Sequence, residues 1–246
     1  MRDSRLILAL SGLALLAASR RPGPPIRYVA LGDSLTAGIG AFYGFGFADH
    51  VARLLRRLGR PVRYVNLGRI RMTSPGLLRA LDQSESLRDE IRGAEVITLC
   101  IGGNDLLRCR ENPDCLEAAA ARFPAHWRAA VERIRALNPG ATLVAVTLYN
   151  PYPAGHPKRE QAERFIEAIN RTIRDPDLAR AHRLVVAEAC AAIDGREPTR
   201  TWVLLGDIHP NGIGHRAVAR EIYRCVASAC RPDPNPEPGS SRPLTG

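Results

Sequence analysis

The residue whose type and setting could do chemistry is Ser34, in the stretch VALGDSLTAG at residues 29–38. A serine hydroxyl is a poor nucleophile unless a base takes its proton and hydrogen-bond donors receive the oxyanion its attack creates. Gly-Asp-Ser decides nothing alone, because those residue types suit any strand-to-helix turn. The rest of the chain must supply the missing parts. His209, before Pro210 and the start of the last helical pattern, is the best base candidate, since an imidazole changes charge near neutral pH. Asn104, behind Gly102 and Gly103, is a side-chain donor. Backbone N–H groups of Ser34 and of residues 68–71 are further donors. Together these parts would suit attack on an ester carbonyl.

The positions of these residues make sense only on certain elements. Apolar runs recur at 27–31, 62–67, 95–101, 142–148 and 183–188. Most are continuous rather than alternating, as expected of strands covered on both faces. Helical patterns fill about 46–59, 73–92, 116–137, 159–174 and 211–227, and Asn138-Pro139-Gly140 stops the third. Strands alternating with helices predict a doubly wound, three-layer α/β/α sandwich around a parallel sheet of roughly five strands. The reactive ends of such sheets are the carboxyl ends. GDS, NLGRIRMTS (66–74) and GGND (102–105) each follow a strand, and GDIHPNGIGH (206–215) follows the short apolar segment 202–205. Four polar, glycine-rich stretches therefore converge on one edge.

With 246 residues, 45% of them hydrophobic, the chain suits one globular domain, expected over residues 20–230. The formal charge of +10 raises nucleic-acid binding. The arginines, however, are scattered and interleaved with acids, without basic runs carrying aromatics, so no nucleic-acid partner is expected. Residues 6–18 (LILALSGLALLAA) behind MRDSR are shorter than a membrane span and read as a secretory signal covering residues 1–19, cut after Ser19. Arg20 and Arg21 weigh against translocation, and the rival is an uncleaved N-terminal anchor. Residues 231–246, rich in Pro and Ser, are expected to be disordered. Six cysteines fit an oxidising compartment. Cys109 with Cys115, and Cys225 with Cys230, are candidate pairs, while Cys100 and Cys190 read as buried small hydrophobes.

GDSLTAG, NLGRIRMTS, GGND and HPN, in this order and spacing, resemble the GDSL, or SGNH, hydrolase family over about residues 27–225. The resemblance implies a flavodoxin-like serine esterase or acylhydrolase without metal or nucleotide cofactor. It implies Ser34 as nucleophile, His209 as base, and Asn104 and a second-block glycine among the oxyanion donors. Two departures stand out. Counting from Asn66, the family's N-x-x-x-x-G-x-T puts Arg71 at the glycine position, with Gly68 three residues earlier. The Arg71 N–H can still donate if its backbone suits a Cβ, and its guanidinium could draw an anionic substrate. The family's D-x-x-H puts Gly206, not an acid, three residues before His209; Asp207 is two before. Asp207 is the expected third member, with a Ser–His dyad as the alternative.

Other residues carry blander expectations. Asp33, Asn66 and Asp105 brace loops, and Thr73 with Ser74 caps a helix. His215 packs a helix or meets solvent rather than pairing with His209 on a metal; His50, His126, His156 and His182 have no sequence partners. Phe42, Tyr43, Phe45 and Phe47 form core or the wall of an acyl pocket. The expected protein is an exported or cell-surface monomer, with peripheral membrane contact possible. It would act on short- to medium-chain or lipid esters. A carbohydrate O-deacetylase and a catalytically silent binding scaffold are the alternatives.

Overall fold

The computed structural model describes residues 23–229. The expected signal (1–19) and tail (231–246) lie outside the described residues. Five strands form one sheet: β1 (Ile26–Gly32), β2 (Val62–Gly68), β3 (Val96–Cys100), β4 (Thr142–Val146) and β5 (Leu184–Ala187). Their order is β2-β1-β3-β4-β5 and every pairing is parallel. That is the flavodoxin-like order, whose switch point falls between β1 and β3.

The continuous apolar runs arise because β1, β3 and β4 lie inside the sheet and bury both faces. Successive side chains of β1 alternate between two cores. Val29 and Leu31 enter one, with Leu77, Phe123, Trp127 and Ile169; Tyr28 and Ala30 enter the other, with Phe47, Val51, Val218 and Ile222. The first core is covered by α3 (Ser74–Gln83), α4 (Glu85–Arg92), α6 (Pro113–Leu137), α7 (Arg159–Ile173) and α8 (Pro176–His182). The second is covered by α2 (Phe47–Leu55), α9 (Ala189–Ile193) and α11 (Gly212–Ala229). Short helices α1 (Ser34–Ala37), α5 (Gly103–Leu107) and α10 (Glu197–Arg200) sit in the connections. No described helix is long and apolar enough to cross a membrane.

Three details differ from the sequence expectation. The pattern at 73–92 is two helices, because Ser84 leaves helical geometry and accepts the Leu87 N–H, restarting the chain as α4. Helix α6 begins three residues early: Asn112 caps it through the Cys115 N–H, and Pro113 takes the first turn. Helix α8 was not expected; Asp175 caps it and Pro176 starts it, a legible start signal on a short apolar pattern.

Cys109 and Cys115, one of the two candidate pairs, form a disulfide. Cys100 is buried as expected. Cys190 is not a core hydrophobe: it is half-buried, and its sulfur lies 3.1 Å from Glu188 Oε2 and 3.2 Å from Arg174. Cys225 is a free thiol, and its suggested partner Cys230 lies outside the described residues.

Candidate active site

The register aligns Gly32 with Gly68 and with Cys100, so the connections after β1, β2 and β3 leave the sheet at one level. Gly32 has φ 153, and a Cβ there would stand 2.2 Å from the Cys100 carbonyl oxygen. That close approach turns the chain sharply out of β1. Asp33 then caps α1, its Oδ1 accepting the Leu35 N–H at 3.0 Å. Ser34 is therefore the first helical residue, its N–H among those a helix start leaves without an internal acceptor.

Ser34 Oγ lies 2.9 Å from His209 Nε2, and His209 Nδ1 lies 2.6 Å from Asp207 Oδ1. The short D-x-H spacing closes because Asp207 Oδ1 also accepts the His209 backbone N–H, at 3.0 Å. That is an Asx-type turn, a carboxylate bonding the N–H two residues on. Gly206 enters it with φ 82. Asp207 holds its proton less tightly than an ordinary carboxyl: burial opposes this, but the N–H groups of His209 outweigh it. The loop is held from behind. The His209 carbonyl accepts the Trp202 N–H at 3.0 Å, and the Tyr149 hydroxyl donates to the Ile208 carbonyl at 2.9 Å.

Asn104 is buried, and its Nδ2 donates to Asp33 Oδ2 at 3.3 Å, leaving a second amide hydrogen for a ligand. Asp33 thus ties the serine turn to the asparagine turn. Burial raises its pKa to about 6, against the pull of the Leu35 N–H and of nearby His209. The second-block loop is tied in by Asp105, which accepts the Ser74 N–H at 2.9 Å and the Ser74 hydroxyl at 2.5 Å. Ser74 Oγ also lies 3.1 Å from His126 Nδ1, so His126 has a partner the sequence did not reveal. Asn66 braces as expected, donating to the Thr36 carbonyl at 2.9 Å and accepting the Gly68 N–H at 2.9 Å.

Residues 30–217 match the family model of the GDSL-like Lipase/Acylhydrolase family. The chain belongs to this family. It is 25% identical to the spore germination lipase LipC of Bacillus licheniformis over 209 residues, covering 80% of this chain and 94% of that one. Among solved structures it resembles the lipase Lip_vut3 from a goat rumen metagenome, with TM-score 0.72, 25% identity, and 81% and 97% of the two chains covered. The acetylxylan esterase Axe2 of Geobacillus stearothermophilus shares the fold at TM-score 0.62 and 18% identity, with 83% and 94% covered.

Against the GDSL-like pattern, Gly68 is corrected as an oxyanion candidate. Its N–H is already given to Asn66, and a Cβ there would stand 2.4 Å from Ala37 N, so it serves packing against α1. Arg71 occupies the family's glycine position with φ 62. Met72 N–H donates to the Arg69 carbonyl at 3.0 Å, closing a turn with Arg71 third of four, where type II turns take glycine. The backbone keeps the glycine conformation although the residue carries a Cβ. The Arg71 side chain is exposed and does not line the cavity beside Ser34, so the anionic-substrate role loses its geometric basis. Arg71→Gly should raise stability by roughly 0.5–1 kcal/mol, the left-handed cost less glycine's entropy. Preference between charged and neutral esters should not change. Chemical denaturation and paired ester assays check both.

A cavity of about 260 Å³ opens beside Ser34, Asn104 and His209. Leu106, Leu116, Leu148, Phe165 and Ile166 form an apolar wall, and Arg110, Glu111 and Lys158 stand among its polar lining. The Cys109–Cys115 loop and α7 supply much of it. Sequence reasoning missed this wall and Tyr149, because α7 reads as an ordinary amphipathic helix. Phe42, Tyr43 and Phe45 were expected in the wall or the core. They are neither: they are exposed, while Phe47 is core.

His215 packs rather than meets solvent: it is fully buried, with both ring nitrogens engaged. Nδ1 accepts the Phe47 N–H at 3.0 Å and Nε2 donates to the Ile39 carbonyl at 2.9 Å. This fixes the 38–46 loop, where a Cβ on Gly40 would lie 2.9 Å from His209 Cβ. Burial lowers the His215 pKa from 6.5 to about 4, against the bond to Ile39. The neutral ring stabilises the fold in full above pH 6.5; that contribution is lost as pH falls toward 4. His215→Leu should cost roughly 2–4 kcal/mol at pH 7.5, from two stranded backbone groups. The gap from wild type should shrink as pH falls from 6.5 to 4. Denaturant melts at pH 7.5 and 4.5 check both signs. Among the described residues, no group of three or more His, Cys, Asp or Glu is placed to hold a metal ion.

Proposed function

We propose that this protein is a serine hydrolase of carboxylic esters with short- to medium-length or lipid acyl chains. The observation that carries the reading is the hydrogen-bonded line from Ser34 Oγ through His209 to Asp207, opening on an apolar cavity. His209 Nε2 takes the Ser34 proton as Oγ attacks the carbonyl carbon, and Asp207 steadies the imidazolium. The oxyanion is met by Asn104 Nδ2 and the backbone N–H groups of Ser34 and Arg71. The tetrahedral intermediate collapses, His209 protonates the leaving alcohol, and an acyl-Ser34 remains. Water, deprotonated by His209, then releases the acid and restores the serine. The Cys109–Cys115 disulfide supports an oxidising, extracytoplasmic location.

The apolar wall favours an acyl chain over an acetyl group alone. The test is hydrolysis of p-nitrophenyl esters from acetate to palmitate. A kcat/KM optimum between butyrate and decanoate supports the reading. An optimum at acetate, with acetylated xylo-oligosaccharides also cleaved, would replace it with a deacetylase. No turnover of any ester by folded protein would leave a binding scaffold. Ala162→Phe, which adds bulk from α7 into the cavity, should cut kcat/KM for decanoate ~10-fold or more and spare acetate.

A further inference from the structure

The exposed large apolar side chains of the described residues are concentrated at one end of the molecule. Ten are exposed, and nine of these lie in the connections leaving the carboxyl edge of the sheet or in the first turn of α11; only Leu58 lies at the other edge. Phe42, Tyr43 and Phe45 follow β1, Ile70 follows β2, and Leu107 ends the turn after β3. Trp202, Leu204 and Leu205 stand beside them: the Trp202 indole N–H donates to the Gly40 carbonyl at 2.7 Å, joining the two loops. Tyr43 is as exposed as in an extended chain (102%), Phe42 is 87% exposed, and Leu204 and Leu205 are 72% and 78%. These side chains surround the edge that carries Ser34.

We infer that this edge docks on a lipid surface, anionic lipid being preferred, with the Phe42–Tyr43 and Leu204–Leu205 tips entering the acyl layer. Two observations choose this occupant. The tips are separate protrusions on different loops and include the aliphatic Leu204 and Leu205, a form suited to an acyl layer, whereas sugar rings would stack on the aromatic ones alone. Interspersed with them are exposed Arg69, Arg71, Arg108 and Arg110, none with a carboxylate partner among the described residues. Unpaired cations beside apolar tips are complementary to anionic headgroups over acyl chains. The inference deepens the proposed ester chemistry, resting on it for the use of docking: a docked molecule would open its cavity toward lipid esters.

The test needs no turnover and so stands apart from that chemistry. It uses the full chain carrying Ser34→Ala, mixed with phosphatidylcholine/phosphatidylglycerol vesicles containing brominated acyl chains. The chain has two tryptophans; Trp127 is fully buried, so quenching by bromine reports Trp202 at the rim. Quenching is expected, weaker on pure phosphatidylcholine and at 1 M salt. The further changes Phe42→Ser, Tyr43→Ser, Leu204→Ser and Leu205→Ser together should lower the apparent vesicle affinity, read by quenching, at least ~10-fold. On a wild-type Ser34 background the same four changes should leave hydrolysis of a soluble short ester within ~3-fold, which shows the fold is kept. Vesicle binding without quenching, or quenching equal in the four-site variant, overturns the inference. So does a dimer in sedimentation velocity that the four changes dissolve, because the patch would then be covered by a second copy. Docking with no ester turnover would retain the surface and discard the chemistry.

Discussion

Ser34→Ala and His209→Ala are each expected to lower kcat by ~10⁴-fold or more, and the double variant should be no slower than the worse single one. The expectation follows from one shared bond, the 2.9 Å contact between Ser34 Oγ and His209 Nε2. Without the imidazole the hydroxyl keeps its proton; without the hydroxyl the imidazole has nothing to activate. Residues that act as a unit lose their function once, so the losses do not add. Residual turnover would come from binding in the cavity and from the Asn104 and backbone donors. Single-turnover kinetics on the best ester, with circular dichroism as the fold control, provide the measurement. Two losses that multiply would mean the pair does not work as one unit.

Asp207→Ala is expected to cost about 10³-fold in kcat, less than either change above and far more than a surface substitution. Asp207 holds the ring by a 2.6 Å bond to Nδ1, which fixes the tautomer that presents Nε2 to the serine. Its side chain is 47% exposed, so water can take over part of that task when the carboxylate is removed. The loss therefore stays below that of His209→Ala. The backbone N–H of His209 loses the same oxygen, and the Asx turn that brings the ring into place loosens with it. Asp207→Asn separates the two effects: the amide oxygen can still close the turn but carries no charge to steady the imidazolium. A kcat between the alanine variant and wild type is expected for it. A loss under ~10-fold for Asp207→Ala would mean the enzyme runs as a Ser–His dyad.

The sheet was legible because burial on both faces writes itself as unbroken apolar runs, and all five strands fall within two residues of their expected limits. Three of the polar blocks were legible because each follows a strand, whereas the block carrying His209 follows a single 3₁₀ turn at Val203–Leu205. Less visible was whatever depended on how side chains close over short distances. Counting residues put Asp207 out of register, yet an Asx turn brings the carboxylate to the ring. Counting also left Gly68 as an oxyanion candidate, although Asn66 takes its N–H. The aromatic run at 42–47 reads as core or pocket wall by composition, but only Phe47 lies on a helix face that meets the sheet. The cavity wall is assembled from α5, α6, α7 and the segment after β4, a convergence no single stretch of sequence displays.

The polarity of the sheet has a practical consequence. Strand β1 begins the described body at the amino edge and runs toward Ser34. Helix α11 starts beside His209 and, over 18 residues, returns ~27 Å toward that same amino edge. Both ends of the body therefore emerge on the side away from the reactive serine. A tether attached through either end, whether a natural anchor, a fusion partner or a sensor chip, would hold the molecule by its back and present the site outward. A protein held in that way would reach esters on a facing surface more readily than esters in the layer to which it is tied.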